Sequence, residues 1–120
     1  MKIRKLSEAV EFTAGDQTLL RELWNPLTHT GFTGRYSLAH ACLPAGKSST
    51  PHLLKSHELY YILSGSGVIH VGEESASVVT GDAIEIPPKA RQWIENTGPA
   101  ELKFLCVVDP GWRPEDEKLL

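Results

Sequence analysis

The stretch Gly46–Gly65, GKSSTPHLLKSHELYYILSG, decides the fold of this chain. It reads Gly46, five residues, His52, one residue, Leu54, three residues, Glu58, six residues, Gly65. Its glycines stand where the chain must reverse and a positive φ is useful. The run after His57 alternates with period two: Glu58, Tyr60 and Ile62 share one face, and Leu59, Tyr61 and Leu63 share the other. Both faces are largely apolar. If one enters a barrel interior, the other must be covered by another layer of the chain or by a second subunit, so a homodimer is expected.

A second stretch, Gly81 to Asn96 (GDAIEIPPKARQWIEN), reads Gly81, five residues, Pro87, one residue, Lys89, two residues, Gln92, three residues, Asn96. Pro87-Pro88 stiffens the entry to a further strand. Outward from these stretches, Thr18–Trp24, Arg35–Leu43, Gly67–Val71, Ala76–Val79 and Glu101–Val108 also read as short strands, separated by Gly, Asn, Asp, Ser and Pro turn signals. That rhythm predicts an all-β domain, a barrel or jelly-roll of about eight to ten strands. Short helical turns are expected near Ser7–Phe12 and after Pro114, where Glu115, Asp116 and Glu117 suit a helix N-terminus.

At 120 residues the chain is expected to form one domain over 1–120, with its motif-bearing core at about 35–108. Its formal charge of -3, without a block of like charges, gives no footprint for nucleic acid or an anionic membrane. MKIRKLSEAVEF is interrupted by charges before any apolar run of signal-peptide length, and a cytoplasmic protein is expected. Cys42 and Cys106 lack metal-site or redox spacing, and read as buried free thiols.

The two stretches together resemble the signature motifs of the cupin superfamily, specifically the small single-domain cupins, over about Arg35 to Val108. The resemblance implies a single cupin β-barrel, also described as a double-stranded β-helix or jelly-roll. In a complete cupin site three histidines and one glutamate hold a divalent ion, which here implies Mn, Fe, Ni or Zn. His52 and Glu58 match two of those four positions, whereas Leu54 and Gln92 stand where histidines are usual, and Lys89 also departs from the pattern. Leu54 has no donor atom, while Gln92 keeps a carbonyl oxygen. The implied metal set is His52, Glu58 and Gln92, with His57 as a substitute if it lies in the loop before the strand.

Three residues are candidates for proton transfer. Glu58 and Tyr60 share strand parity, so a carboxylate and a phenol can face one cavity. His40 shares a face with Leu38 and Cys42, and is a candidate base if that face is luminal. Trp93, out of phase with Gln92, is expected on the outer face, and His70 toward solvent or a dimer contact. Two readings follow: a metal-dependent isomerase or lyase acting on a small polar metabolite such as a sugar or keto acid, and a metal-free ligand-binding or sensory module.

Overall fold

The computed structural model describes residues 1–120. Eleven strands run in order: β1 (Glu11–Thr13), β2 (Leu19–Trp24), β3 (Ser37–Leu43), β4 (His52–Leu54), β5 (His57–Ser64), β6 (Ser66–Val71), β7 (Glu74–Val79), β8 (Ala83–Ile86), β9 (Gln92–Asn96), β10 (Leu102–Asp109) and β11 (Glu117–Leu119). The expected terminal helical turns are single 3-10 turns, Leu6–Glu8 and Pro114–Asp116. A six-stranded sheet, ordered β1-β2-β3-β10-β5-β8, faces a five-stranded sheet, ordered β11-β4-β9-β6-β7. All strand pairings within the two sheets are antiparallel, and the chain is a single β-barrel of jelly-roll type.

The core lies between the sheets. Ile62, Phe104, Leu102, Ile94, Ile86 and Leu43 are fully buried there. Strand parity does the sorting on β5: Glu58, Tyr60 and Ile62 are buried, and Leu59, Tyr61 and Leu63 are 38–44% exposed. The exposed trio continues across the sheet, because Leu59 sits opposite Val107 and Tyr61 opposite Leu105. Cys42 and Cys106 are both free and buried. No helix is long and apolar enough to cross a membrane.

The two motifs pack side by side, which explains why their spacings are linked. His52 of β4 pairs with Gln92 of β9. Ser49 binds Ile94 twice, through its own N–H to the Ile94 carbonyl and its Oγ accepting the Ile94 N–H, each at 2.9 Å. At the far end the Asn96 N–H donates to the Lys47 carbonyl at 2.9 Å, and the Gly46 N–H donates to the Asn96 carbonyl at 3.2 Å. The Asn96 side chain completes this clasp: Nδ2 donates to the carbonyls of Leu43 at 2.9 Å and Ala100 at 2.8 Å, and Oδ1 accepts the Gly98 N–H at 3.0 Å.

Gly65 closes the first motif with φ +92°, and a Cβ there would lie 2.7 Å from the Glu101 carbonyl oxygen. Both conformation and space therefore call for glycine. The connection before β9 turns on Lys89, at φ 67°, whose N–H donates to the Leu54 carbonyl at 2.8 Å. That bond holds the Pro87-Pro88 turn against β4.

Candidate active site

A cavity of about 150 Å³ opens between the sheets at the end away from the Asn96 clasp. That is the volume of a hole able to hold a benzene-sized molecule. His52, Leu54, Glu58, Tyr60 and Phe104 form its inner wall. Both ends of the chain close it over: Phe12 and Asp16 come from β1 and the turn after it, and Trp112 and Glu117 from the C-terminal segment.

Glu58 ends a short polar chain that runs from Tyr60 through Gln92. The Tyr60 hydroxyl donates to Gln92 Oε1 at 3.0 Å, and Gln92 Nε2 donates to Glu58 Oε1 at 2.7 Å. In this orientation the amide gives the Glu58 carboxylate a donor and the Tyr60 hydroxyl an acceptor. No buried side-chain polar atom lacks a partner, so the second Glu58 oxygen, which has no protein donor, is reached from the cavity. Burial pushes the Glu58 carboxyl up to about 7, the Gln92 hydrogen bond and nearby His52 oppose this, and Asp16 and Glu117 add to it. Burial likewise raises the Tyr60 phenol well above its ordinary value. Tyr60 also packs on Phe104, with ring centroids 4.7 Å apart.

His52 is 3% exposed, and its Nδ1 lies 2.7 Å from the Thr50 carbonyl. A carbonyl only accepts, so Nδ1 carries a proton and Nε2 is turned the other way, 3.7 Å from Asp16 Oδ2. Asp16 is held in place by the turn around it. Its Oδ1 accepts the Thr18 N–H at 3.1 Å and the Thr18 hydroxyl at 2.7 Å, and its carbonyl accepts the Thr50 N–H at 2.7 Å. Glu117 approaches from β11, which pairs with β4 through Glu117 opposite Leu54. Burial raises its carboxyl too, with Asp16 adding and His52 opposing.

The sequence candidates therefore separate. His52, Glu58 and Tyr60 line one cavity, and Gln92 stands behind them, 1% exposed. His40 is elsewhere: the inward residues of β3 are Ser37, Ala39 and Ala41, and His40 faces outward between Leu105 of β10 and Arg21 of β2. Burial, Lys103 and Arg21 lower its pKa. His57 is also outside the cavity, with Nε2 3.0 Å from Glu85 on the exposed face of the sheet. As the first residue of β5, next to Glu58, it is turned to the opposite face of the sheet. As expected from parity, Trp93 is outward, stacked on His70 at 4.0 Å between ring centroids.

Asp16 and Glu117 were not among the candidates read from sequence. Both lie outside the motif-bearing core. Only Ala14-Gly15-Asp16-Gln17, a turn signal before the first long strand, hinted that the N-terminal segment folds back.

The divalent ion implied by the motif resemblance does not fit these residues. Leu54 is an aliphatic part of the wall, and the Gln92 oxygen is occupied by the Tyr60 hydroxyl. No group of three His, Cys, Asp or Glu residues converges with geometry able to hold a metal. What remains is an imidazole nitrogen, a carboxyl group of raised pKa and a phenol-anchored amide, a set suited to moving protons.

Comparison with known proteins agrees with this architecture. An uncharacterised protein of Methanocaldococcus jannaschii is 40% identical over 106 residues, 88% of this chain and 83% of its own. An oxalate-binding protein of Thermotoga maritima is 37% identical over 67 residues, 55% of each chain. The structure of a polyketide cyclase from Streptomyces resistomycificus superposes with a TM-score of 0.83 at 21% identity, covering all of this chain (100%) and 85% of that one. Residues 39–108 match the family model described as the cupin domain, Cupin_2. With both motifs laced into one jelly-roll and its core matched by that model, the chain belongs to the cupin family.

Proposed function

We propose that this cupin acts on a small polar metabolite in the cavity beside Glu58, moving a proton with its own side chains in an isomerase- or lyase-type reaction. The observation that carries this reading is the hydrogen-bonded chain from Tyr60 through Gln92 to Glu58. A carboxyl group held near neutrality can keep a proton and still release it, as a general acid requires. His52, with its proton on Nδ1, offers the Nε2 lone pair as the matching base. A C–H or O–H proton taken by His52 and one delivered by Glu58 would carry a carbonyl compound through an enol. Gln92 holds one Glu58 oxygen in place, so the other meets the substrate in a fixed orientation.

Of the two substrate classes expected, the sugar-like one suits the wall better than the keto acid. Asp16, Glu58 and Glu117 line the cavity and no lysine or arginine does, so a substrate carboxylate would have no counter-charge. Oxalate, the ligand in the name of the Thermotoga maritima relative, raises the same objection.

Deuterium wash-in tests the reaction. Small neutral aldoses and hydroxyketones incubated with the protein in D2O should gain deuterium beside the carbonyl, and Glu58→Gln should abolish the gain while leaving binding within threefold. Ligands that bind with no exchange in the wild type would overturn catalysis and leave a binding module.

We also propose that a second copy covers the outer face around Leu59, Tyr61, Leu105 and Val107, giving a homodimer. Tyr61→Lys should then halve the mass seen in sedimentation. A wild type that sediments as a monomer at micromolar concentration sinks this assignment.

A further inference from the structure

Building on the reading of the cavity as a small-molecule site, we propose that its ligand carries a protonated amine: a small organic monocation with an ammonium group on a carbonyl- or hydroxyl-bearing skeleton. The acidic groups come from separate elements that converge on one hollow: Asp16 from the turn after β1, Glu58 from β5 and Glu117 from β11. Two of them are more than nine-tenths buried, Asp16 at 7% and Glu58 at 6% exposed, and each presents one oxygen that receives no hydrogen bond. Asp16 uses Oδ1 for Thr18 and turns Oδ2 inward, where His52 Nε2 lies 3.7 Å away.

Several other acids of this protein have side-chain donors on them. Asp116 takes a two-pronged contact from Arg113, Asp109 pairs with Arg35, and Glu22, also on the cavity wall, is satisfied by Asn25 and Thr28. The free oxygens of Asp16 and Glu58 have no such donor. An ammonium group supplies three N–H donors and one positive charge, which matches Asp16 Oδ2 and the Glu117 carboxyl and leaves the second Glu58 oxygen for the proton it delivers.

The rest of the wall fits the same ligand. Phe12, Tyr60, Phe104 and Trp112 bring aromatic rings to the cavity. Such rings shed water from an organic body and favour a cation near their faces. They are poor company for a hydrated metal ion. The volume of about 150 Å³ admits a body of roughly six heavy atoms, benzene-sized.

Three probes of equal heavy-atom count decide the charge: cyclopentylamine, cyclopentanol and cyclopropanecarboxylate, titrated calorimetrically against the wild type at pH 7. The amine should bind at least tenfold more tightly than the alcohol, and the carboxylate should not bind. Asp16→Asn, which keeps an acceptor for Thr18, and Glu117→Gln should each weaken the amine at least threefold and leave the alcohol unchanged. Equal binding of amine and alcohol, or preference for the carboxylate, overturns the ammonium assignment but leaves proton transfer at Glu58, which deuterium exchange reads separately. Stoichiometric manganese or zinc that displaces the amine overturns it in favour of a metal. Binding of none of the three overturns it together with the small-molecule reading beneath it.

Discussion

Gln92 and Asn96 stand at the two ends of β9, point into the same interior and are almost equally buried, at 1% and 3% exposure. Yet the two amides do different work. Asn96 bonds only to backbone, tying Leu43, Gly98 and Ala100 together. Gln92 bonds only to side chains that can titrate, Glu58 and Tyr60. A buried amide facing backbone fixes where the chain goes, and one facing ionisable groups sets which protons they hold. Both belong to the second motif, so that motif contains one structural and one chemical position four residues apart.

The comparison breaks most visibly at Asn96. Asn96→Ala removes three hydrogen bonds to backbone, one buried and two part-buried, and should cost about 3 kcal/mol, at about 1 kcal/mol for each bond. Urea denaturation should give a lower midpoint with an unchanged slope. A loss under about 1 kcal/mol would mean that water replaces the amide readily and that the clasp is not structural.

At the other end the expected effect depends on pH. Glu58 has its folded pKa raised to about 7, above the ordinary 4.5, so the native state binds more protons than the unfolded chain between those values. Its contribution is therefore fully present below about pH 4.5 and is lost as the pH rises toward 7, amounting to about 3 kcal/mol over the window. Glu58→Gln should remove this slope, leaving the variant better matched to neutral and alkaline pH than the wild type. Parallel slopes for the two proteins from pH 4.5 to 8 would refute the assignment.

Gln92→Leu sharpens the contrast. Without its amide donor the charged form of Glu58 loses a hydrogen bond, and its pKa should climb by about one unit, since bonds to charged groups contribute about 1.5–3 kcal/mol. Carbon-13 NMR of the carboxyl group reads this directly. A fall instead of a rise would mean that the amide does not stabilise the carboxylate. His57→Ala, on the exposed side of the same strand, should change stability by less than about 0.5 kcal/mol, because its contact with Glu85 is at the surface. A larger loss would show that the outer face holds up the inner one.

These differences also explain what could be read from sequence. The spacing of Gly46, Gly65, Gly81 and Asn96 reported the frame because close backbone approach and positive φ leave few alternatives, as at Gly65. Period two then sorted β5 correctly, and with it Glu58 and Tyr60. On β3 the same rule left two faces to choose from, and only register against β2 and β10 turns His40 outward. The short strand β4, from His52 to Leu54, was too brief for alternation to reveal. Asp16 and Glu117 could not be found by any local pattern. Their role comes from long-range closure, the turn after β1 hanging from Thr50 and β11 pairing with β4.

That closure divides the molecule in a way that bears on its history. The middle of the chain supplies the clasp and the proton-bearing pair, and the two ends supply the charge that surrounds them. Substitutions in the first sixteen residues or in β11 therefore change the charge of the cavity wall while the barrel and Glu58 stay as they are, and under the proposed function they are the ones that would change the substrate. Relatives with the same barrel would be expected to diverge first at these edges, and a useful redesign of specificity would begin at Asp16 and Glu117 and leave the motifs untouched.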